Sequence, residues 1–200
     1  MSSAFVGVIV ALWKMAMDGT VGHAARFPVA FLSSQVGGRL RSAAVPAWKV
    51  IEQAEPEFAR RVRSLFDAGR HKTIATLRAD GSPRISGIEC GFADGDLRFG
   101  SMTGARKGAD LERDSRFALH GPTFHPEQGK EKDWPGEAKI AGRAVAAGQV
   151  TTDESSEQPD GGMFIADITE VVITRLNAEA TKLVVESWTP ERGLRRVDRD

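Results

Sequence analysis

Two hundred residues suffice for one domain with a sizeable core and are too few for two comfortable ones. Lys+Arg and Asp+Glu both total 27, so net charge is zero and Tyr is absent, which argues against nucleic-acid partners held by a basic face or by base stacking. The single cysteine, Cys90, excludes an internal disulfide framework and fits a reducing cytoplasm, and no interval reaches the roughly 18 apolar residues of a membrane helix.

Residues 1–45 stand apart from the rest. Residues 4–12 are apolar, but no Lys or Arg precedes them and no small-residue cleavage site follows, so they make a poor secretory signal. Residues 19–44 lack a sustained period and are rich in Gly, Ser and Ala. Lys14, Arg26, Arg39 and Arg41 against Asp18 give the segment a charge of +3 and leave −3 for the remainder. Three readings compete: a weak membrane-surface anchor, a disordered extension, or sequence translated upstream of the true start. The last two together are the expectation, with residues 46–200 forming the folded domain.

Order is expected from Trp48. Pro56 after Glu55 opens a helix, since proline is preorganised for the first helical position. Phe58, Val62, Leu65 and Phe66 recur at helical spacing, and Gly69 closes the helix, which caps an open end of a sheet. From Lys72 the period becomes two. Residues 73–77 read as a strand, 79–82 as a tight turn, 83–92 as a second strand, 93–95 as a second turn and 96–100 as a third strand. Cys90 falls inside a strand pattern and reads as a small buried hydrophobe rather than a reactive thiol.

Next comes a small-residue turn, Gly100-Ser101-Met102-Thr103-Gly104, and the adjacent cations Arg106 and Lys107 at the start of a short helical pattern. Small residues let a ligand approach the backbone, and a helix start offers unpaired N–H groups at the positive end of its dipole. Two cations beside those donors suit a phosphate, Arg as a planar fork and Lys as a point charge. Spacing alone leaves an ordinary connection with solvated charges equally open.

Residues 117–120 read as a fourth strand and 121–136 as a Pro- and Gly-rich loop long enough to act as a lid. Residues 137–147 form a fifth strand, 149–162 an exposed acidic loop, 164–176 and 182–188 further strands, and 191–200 an arginine-rich tail. Short strands linked by hairpins, with few helices, predict a mainly β fold closed into an antiparallel barrel.

The segment TIATLRADGSPRISGIECGFADGDLRFGSMTGARKGADLERDSRFALHG resembles the flavin-binding half of the pyridoxamine 5′-phosphate oxidase-like split β-barrel family. The parts that carry the resemblance are a DG-x-P hairpin, a polar-small strand, a second DG turn, then a small-residue step and an Arg-Lys pair leading to L-x-x-D-x-R. The resemblance implies a six-stranded antiparallel split β-barrel that dimerises. It implies FMN, or a deazaflavin coenzyme as in actinobacterial relatives, in a groove between subunits. Arg106 and Lys107 would hold the cofactor phosphate. Ser86, Gly87 and Ile88 would line the ring and ribityl parts, with Ser101 and Met102 completing the phosphate and ribityl side. The C-terminal substrate motif of authentic pyridoxamine phosphate oxidases has no match in the tail ESWTPERGLRRVDRD, which argues against pyridoxal phosphate synthesis. Arg195 and Arg196 read as part of a solvated terminal strand rather than an anion site.

No independent catalytic set is legible, and none is assigned. His23, His71, His120 and His125 lack the paired spacing of a zinc site, so no metal is expected. His120 and His125 read as loop hydrogen-bonders, although haem ligation has precedent among split-barrel relatives. Trp134 and Trp188 are candidates either to cover a cofactor ring or to pack at a dimer interface. The leading expectation is an FMN- or deazaflavin-dependent oxidoreductase that passes hydride to a small conjugated substrate, the cofactor carrying the chemistry. The alternatives are a non-catalytic module that stores or senses a flavin or haem, and a dimeric scaffold without a cofactor.

Overall fold

The computed structural model describes residues 47–150 and 161–200. The extension expected over residues 1–45 and most of the acidic loop expected over 149–162 lie outside the described residues. Nine strands run through the fold: β1 (Lys72–Leu77), β2 (Pro83–Ile88), β3 (Cys90–Ala93), β4 (Asp96–Met102), β5 (Arg116–His120), β6 (Glu137–Val150), β7 (Gly161–Leu176), β8 (Leu183–Thr189) and β9 (Gly193–Arg199). All the pairings are antiparallel, in the order β2-β1-β5-β6-β7-β4-β3, with β8 and β9 added as a hairpin on β7.

The two ends of that path, β2 and β3, are successive pieces of one segment separated only by Glu89. Its first piece pairs with β1 and its second with β4. Counted as one bent strand, it makes six staves around a split antiparallel β-barrel, in which chain connectivity replaces a ladder at the bend. This is the expected fold. Strand β7 is long enough to serve twice, pairing with β4 near Gly161–Ile165 and with β8 from Val171 to Leu176.

Both predicted turns form for physical reasons visible in the residues. At the first, Asp80 Oδ1 accepts from the Ser82 amide and hydroxyl at 2.9 and 2.7 Å, and Gly81 takes a φ of 81°. At the second, Asp94 and Gly95 both have positive φ, the conformation that a two-residue hairpin turn demands.

Two helices close one end of the barrel: α1 (Trp48–Ala54) and α2 (Pro56–Asp67). The inward stripe of α2, Phe58, Val62, Leu65 and Phe66, is buried, each side chain contributing about 1.5–3 kcal/mol. Trp48 and Phe66 converge on Phe92, with ring centroids 4.4 and 6.0 Å away. Deeper in, Phe99 packs against Phe117 and Phe164. Trp188, a candidate either to cover a ring or to pack at a dimer interface, belongs to this core at 4% exposure. Gly69 has a different role from the one expected: α2 already ends at Asp67, and a Cβ at Gly69 would lie 2.8 Å from Pro122 Cγ. Close approach of the 121–136 loop, rather than helix termination, needs glycine there.

A partly buried ion cluster ties α2 to the C-terminal hairpin. Arg61 grips Glu186 with both terminal nitrogens, at 2.5 and 2.7 Å, and Arg175 Nε adds a third bond at 3.1 Å. These donors hold the Glu186 carboxyl below its ordinary range despite its burial.

Candidate functional site

Strand β4 leaves the barrel at Met102 and turns through Thr103 and Gly104, whose φ of 74° suits glycine. The amide of Ala105 donates to Met102 O at 3.0 Å, and helix α3 (Arg106–Arg113) begins. No side chain caps this helix, and no acid lies in its first turn. The amides of Gly108 and Ala109 turn back to Ala105 O, leaving those of Arg106 and Lys107 as helix-end donors. Ser101 and Met102, expected within a turn, are the last residues of β4 instead.

Lys107 Nζ donates to Gly87 O at 3.1 Å, so the helix start is laced to β2. Arg106 is exposed and makes no hydrogen bond or ion pair among the described residues. Gly87 and Gly104 face open space on the side where a Cβ would project. Ser86 is partly exposed, Met102 is exposed, and Ile88 is buried at 5% exposure, which leaves its backbone as its contribution to any groove. Ser101 is buried behind the helix: a Cβ on Gly108 would lie 2.8 Å from its Oγ, which has no hydrogen-bond partner. Arg106, Lys107 and Gly87 are thus joined at one corner, with Met102 at the entrance to the turn and Ser101 underneath.

The anchor of this corner is Asp110, which the sequence analysis did not single out. Only 3% exposed, its Oδ2 accepts from Arg84 Nε at 2.6 Å and Thr76 Oγ1 at 2.9 Å, and its Oδ1 from Arg113 at 3.1 Å. Burial pushes the carboxyl up, but these three donors outweigh it and hold the pKa at about 2. Arg113 also donates to Leu77 O. One carboxylate therefore fixes α3 against β1 and β2. At the other end of the helix, Asp114 pairs with Arg116 at 2.6 Å. The Asp-x-Arg step of the family pattern is thus a local clamp leading into β5.

The corner fits a phosphate. It offers free helix-end amides, one unneutralised guanidinium, one ammonium and room beside two glycines. No group of three His, Cys, Asp or Glu side chains placed to hold a metal ion occurs among the described residues. His120 Nδ1 lies 2.7 Å from Gly121 O, and its Nε2 lies 3.3 Å from Glu137, a loop-bonding role as read. Burial pushes the Cys90 thiol up to about 12, so it is an inert core group. No helix among the described residues is long and apolar enough to cross a membrane.

No protein-family model and no curated protein matches the sequence. Solved structures that the chain is similar to include a pyridoxamine 5′-phosphate oxidase-related, FMN-binding protein from Nostoc punctiforme PCC 73102. That match is 14% identical, covers 75% of this chain and 96% of the other, and has a TM-score of 0.49. PhzG from Burkholderia lata 383, in complex with tetrahydrophenazine-1-carboxylic acid, is 12% identical over 76% of this chain and 93% of its own, with a TM-score of 0.49. An F420 reductase is 17% identical over 55% and 94%, with a TM-score of 0.40. The family read from the sequence is represented among them.

Proposed function

We propose that the chain is a homodimeric flavoprotein that holds FMN, or a deazaflavin coenzyme, by its phosphate at the start of α3 and passes hydride to a small conjugated substrate. The observation that carries this reading is Arg106, a guanidinium without an acidic partner beside an uncapped helix start. In this reading Arg106 forks onto the phosphate, and the helix-end amides and Lys107 share its charge. Ser86, Gly87 and the Ile88 backbone line the ribityl side and the ring. Met102 covers the entrance, and Ser101 supports the first turn from beneath. When bound, the flavin-type ring supplies hydride transfer; the protein supplies binding, orientation and exclusion of water.

The subunit contact is assigned to the outward face of the sheet. Ile85, Ala75, Ala118 and Ala141 lie in register across β2, β1, β5 and β6, and Ile85 is 76% exposed. On β7 the partner of Ala141 is the exposed Glu170, and the same face carries Val185 and Val197 in a separate row, opposite Thr174, on the C-terminal hairpin. An exposed apolar row of this kind suits a second copy.

The test is titration of the full chain with FMN, riboflavin and a deazaflavin coenzyme. FMN or the deazaflavin should saturate, and riboflavin, which lacks the phosphate, should bind at least about tenfold more weakly. Equal binding of riboflavin and FMN would overturn the phosphate assignment. Reoxidation of the reduced cofactor by a substrate supports the enzyme; tight binding without turnover on any substrate supports a storage or sensing module.

A further inference from the structure

The 121–136 loop borders an open-sided cavity that the cation corner does not use. The base of the loop is held by the Gly121 amide donating to Ala138 O at 2.9 Å, and a 3₁₀ turn, Glu131–Asp133, lies within it. The cavity measures about 420 Å³, the size of a small-molecule site. Phe124, Pro126, Trp134 and Leu176 supply its apolar wall, and Glu131 and Glu137 supply its carboxylates. Phe124 packs back against the core, which fixes that wall.

The two acids differ. Glu137 is already matched by Lys139 and His120. Glu131 accepts backbone amides, that of Gly129 at 2.9 Å and its own, and has no cationic partner among the described residues. Those amides hold its carboxyl below the ordinary range, so it is ionised at neutral pH. His125 also lines the cavity, and no Lys or Arg does. An aromatic wall beside an unmatched carboxylate attracts a cation with an apolar body, through the ring face and the charge together.

We propose that this cavity is a second small-molecule site, which takes an organic ammonium whose flat or apolar body rests against Phe124 and Trp134 and whose charge faces Glu131. None of its lining residues belongs to the cation corner, so the site stands whether or not that corner holds a flavin.

Calorimetric titration of the full chain with benzyltrimethylammonium, benzyl alcohol and benzoate tests it. The ammonium should give a saturable isotherm, the alcohol a weaker one and benzoate none. Glu131→Gln should weaken the ammonium about two- to fivefold while leaving the alcohol unchanged. Trp134→Phe, which keeps an aromatic face, should retain binding that Trp134→Ala loses. No saturable heat up to about 20 mM, benzoate binding as well as the ammonium, or an unaltered isotherm in Glu131→Gln would each overturn the proposal. A loss in Trp134→Ala that Trp134→Phe shares equally would also overturn it, because the effect would then be one of loop folding.

Discussion

Lys107 Nζ donates to the carbonyl oxygen of Gly87 at 3.1 Å, although the two residues belong to different elements and lie 20 positions apart. That bond orients one cation of the corner along β2 and leaves its neighbour Arg106 free. The two side chains therefore have separable roles. Arg106→Ala should weaken FMN by roughly 1.5–3 kcal/mol with no loss of fold stability, because nothing within the described chain depends on it. The Arg106→Ala, Lys107→Ala double variant should lose several kcal/mol, read by calorimetry, while circular dichroism stays native.

Asp110 should act on stability first and on binding second. Removing it by Asp110→Ala leaves Arg84 without its carboxylate in a mostly buried position. The expected cost is about 3–5 kcal/mol, or a fall in melting temperature on the order of 10 °C. Differential scanning calorimetry checks it. An unchanged melting temperature would mean that α3 is held by its apolar contacts alone.

The same carboxyl sets an acid limit. Its folded pKa, about 2, lies below the ordinary 3.8, so its ion pairs contribute fully above about pH 4 and are lost as pH falls through about 2. Urea midpoints measured between pH 5 and 2 should fall more steeply for the native chain than for Asp110→Asn. Asp114, also held at about 2, remains in both and supplies a common background from a partly buried position.

The Arg61–Glu186 pair should couple in a double-mutant cycle. Either single substitution to Ala strands the partner, and Glu186 in particular is buried. Unfolding free energies of Arg61→Ala, Glu186→Ala and the double variant should show an interaction of about 1–3 kcal/mol.

Two glycines should respond differently to alanine. At the β6 irregularity a Cβ on Gly142 would lie 2.1 Å from Asp167 O, a backbone atom that cannot move aside alone. Gly142→Ala should cost at least about 1–3 kcal/mol by thermal unfolding. Gly87→Ala meets open space and should leave stability within about 0.5 kcal/mol.

The strands were legible because alternation and turn chemistry are local. Asp80-Gly81 and Asp94-Gly95 state their own geometry, and Phe58, Val62 and Phe66 state a helix. Helix α1 was not, since its seven residues bury only Trp48 and Ile51, too few to establish a period. The bend at Glu89 was also hidden: no Gly or Pro marks that position, and only the change of partner from β1 to β4 reveals it. Of the candidate site, adjacency exposed Arg106 and Lys107. Asp110 escaped because its meaning depends on Arg84, 26 positions earlier and brought near only by barrel closure. Glu186 escaped for the same reason, its partner Arg61 lying 125 positions away.

The bend at Glu89 has a dynamic corollary. Residues on either side of it are hydrogen-bonded to opposite halves of the cylinder, so that short segment is the clasp of the whole hoop. Prying loose either half of the clasp bares a raw margin on the strand it leaves, β1 or β4. Amide exchange along 83–93 should consequently track the opening of the entire cylinder rather than the fraying of a rim.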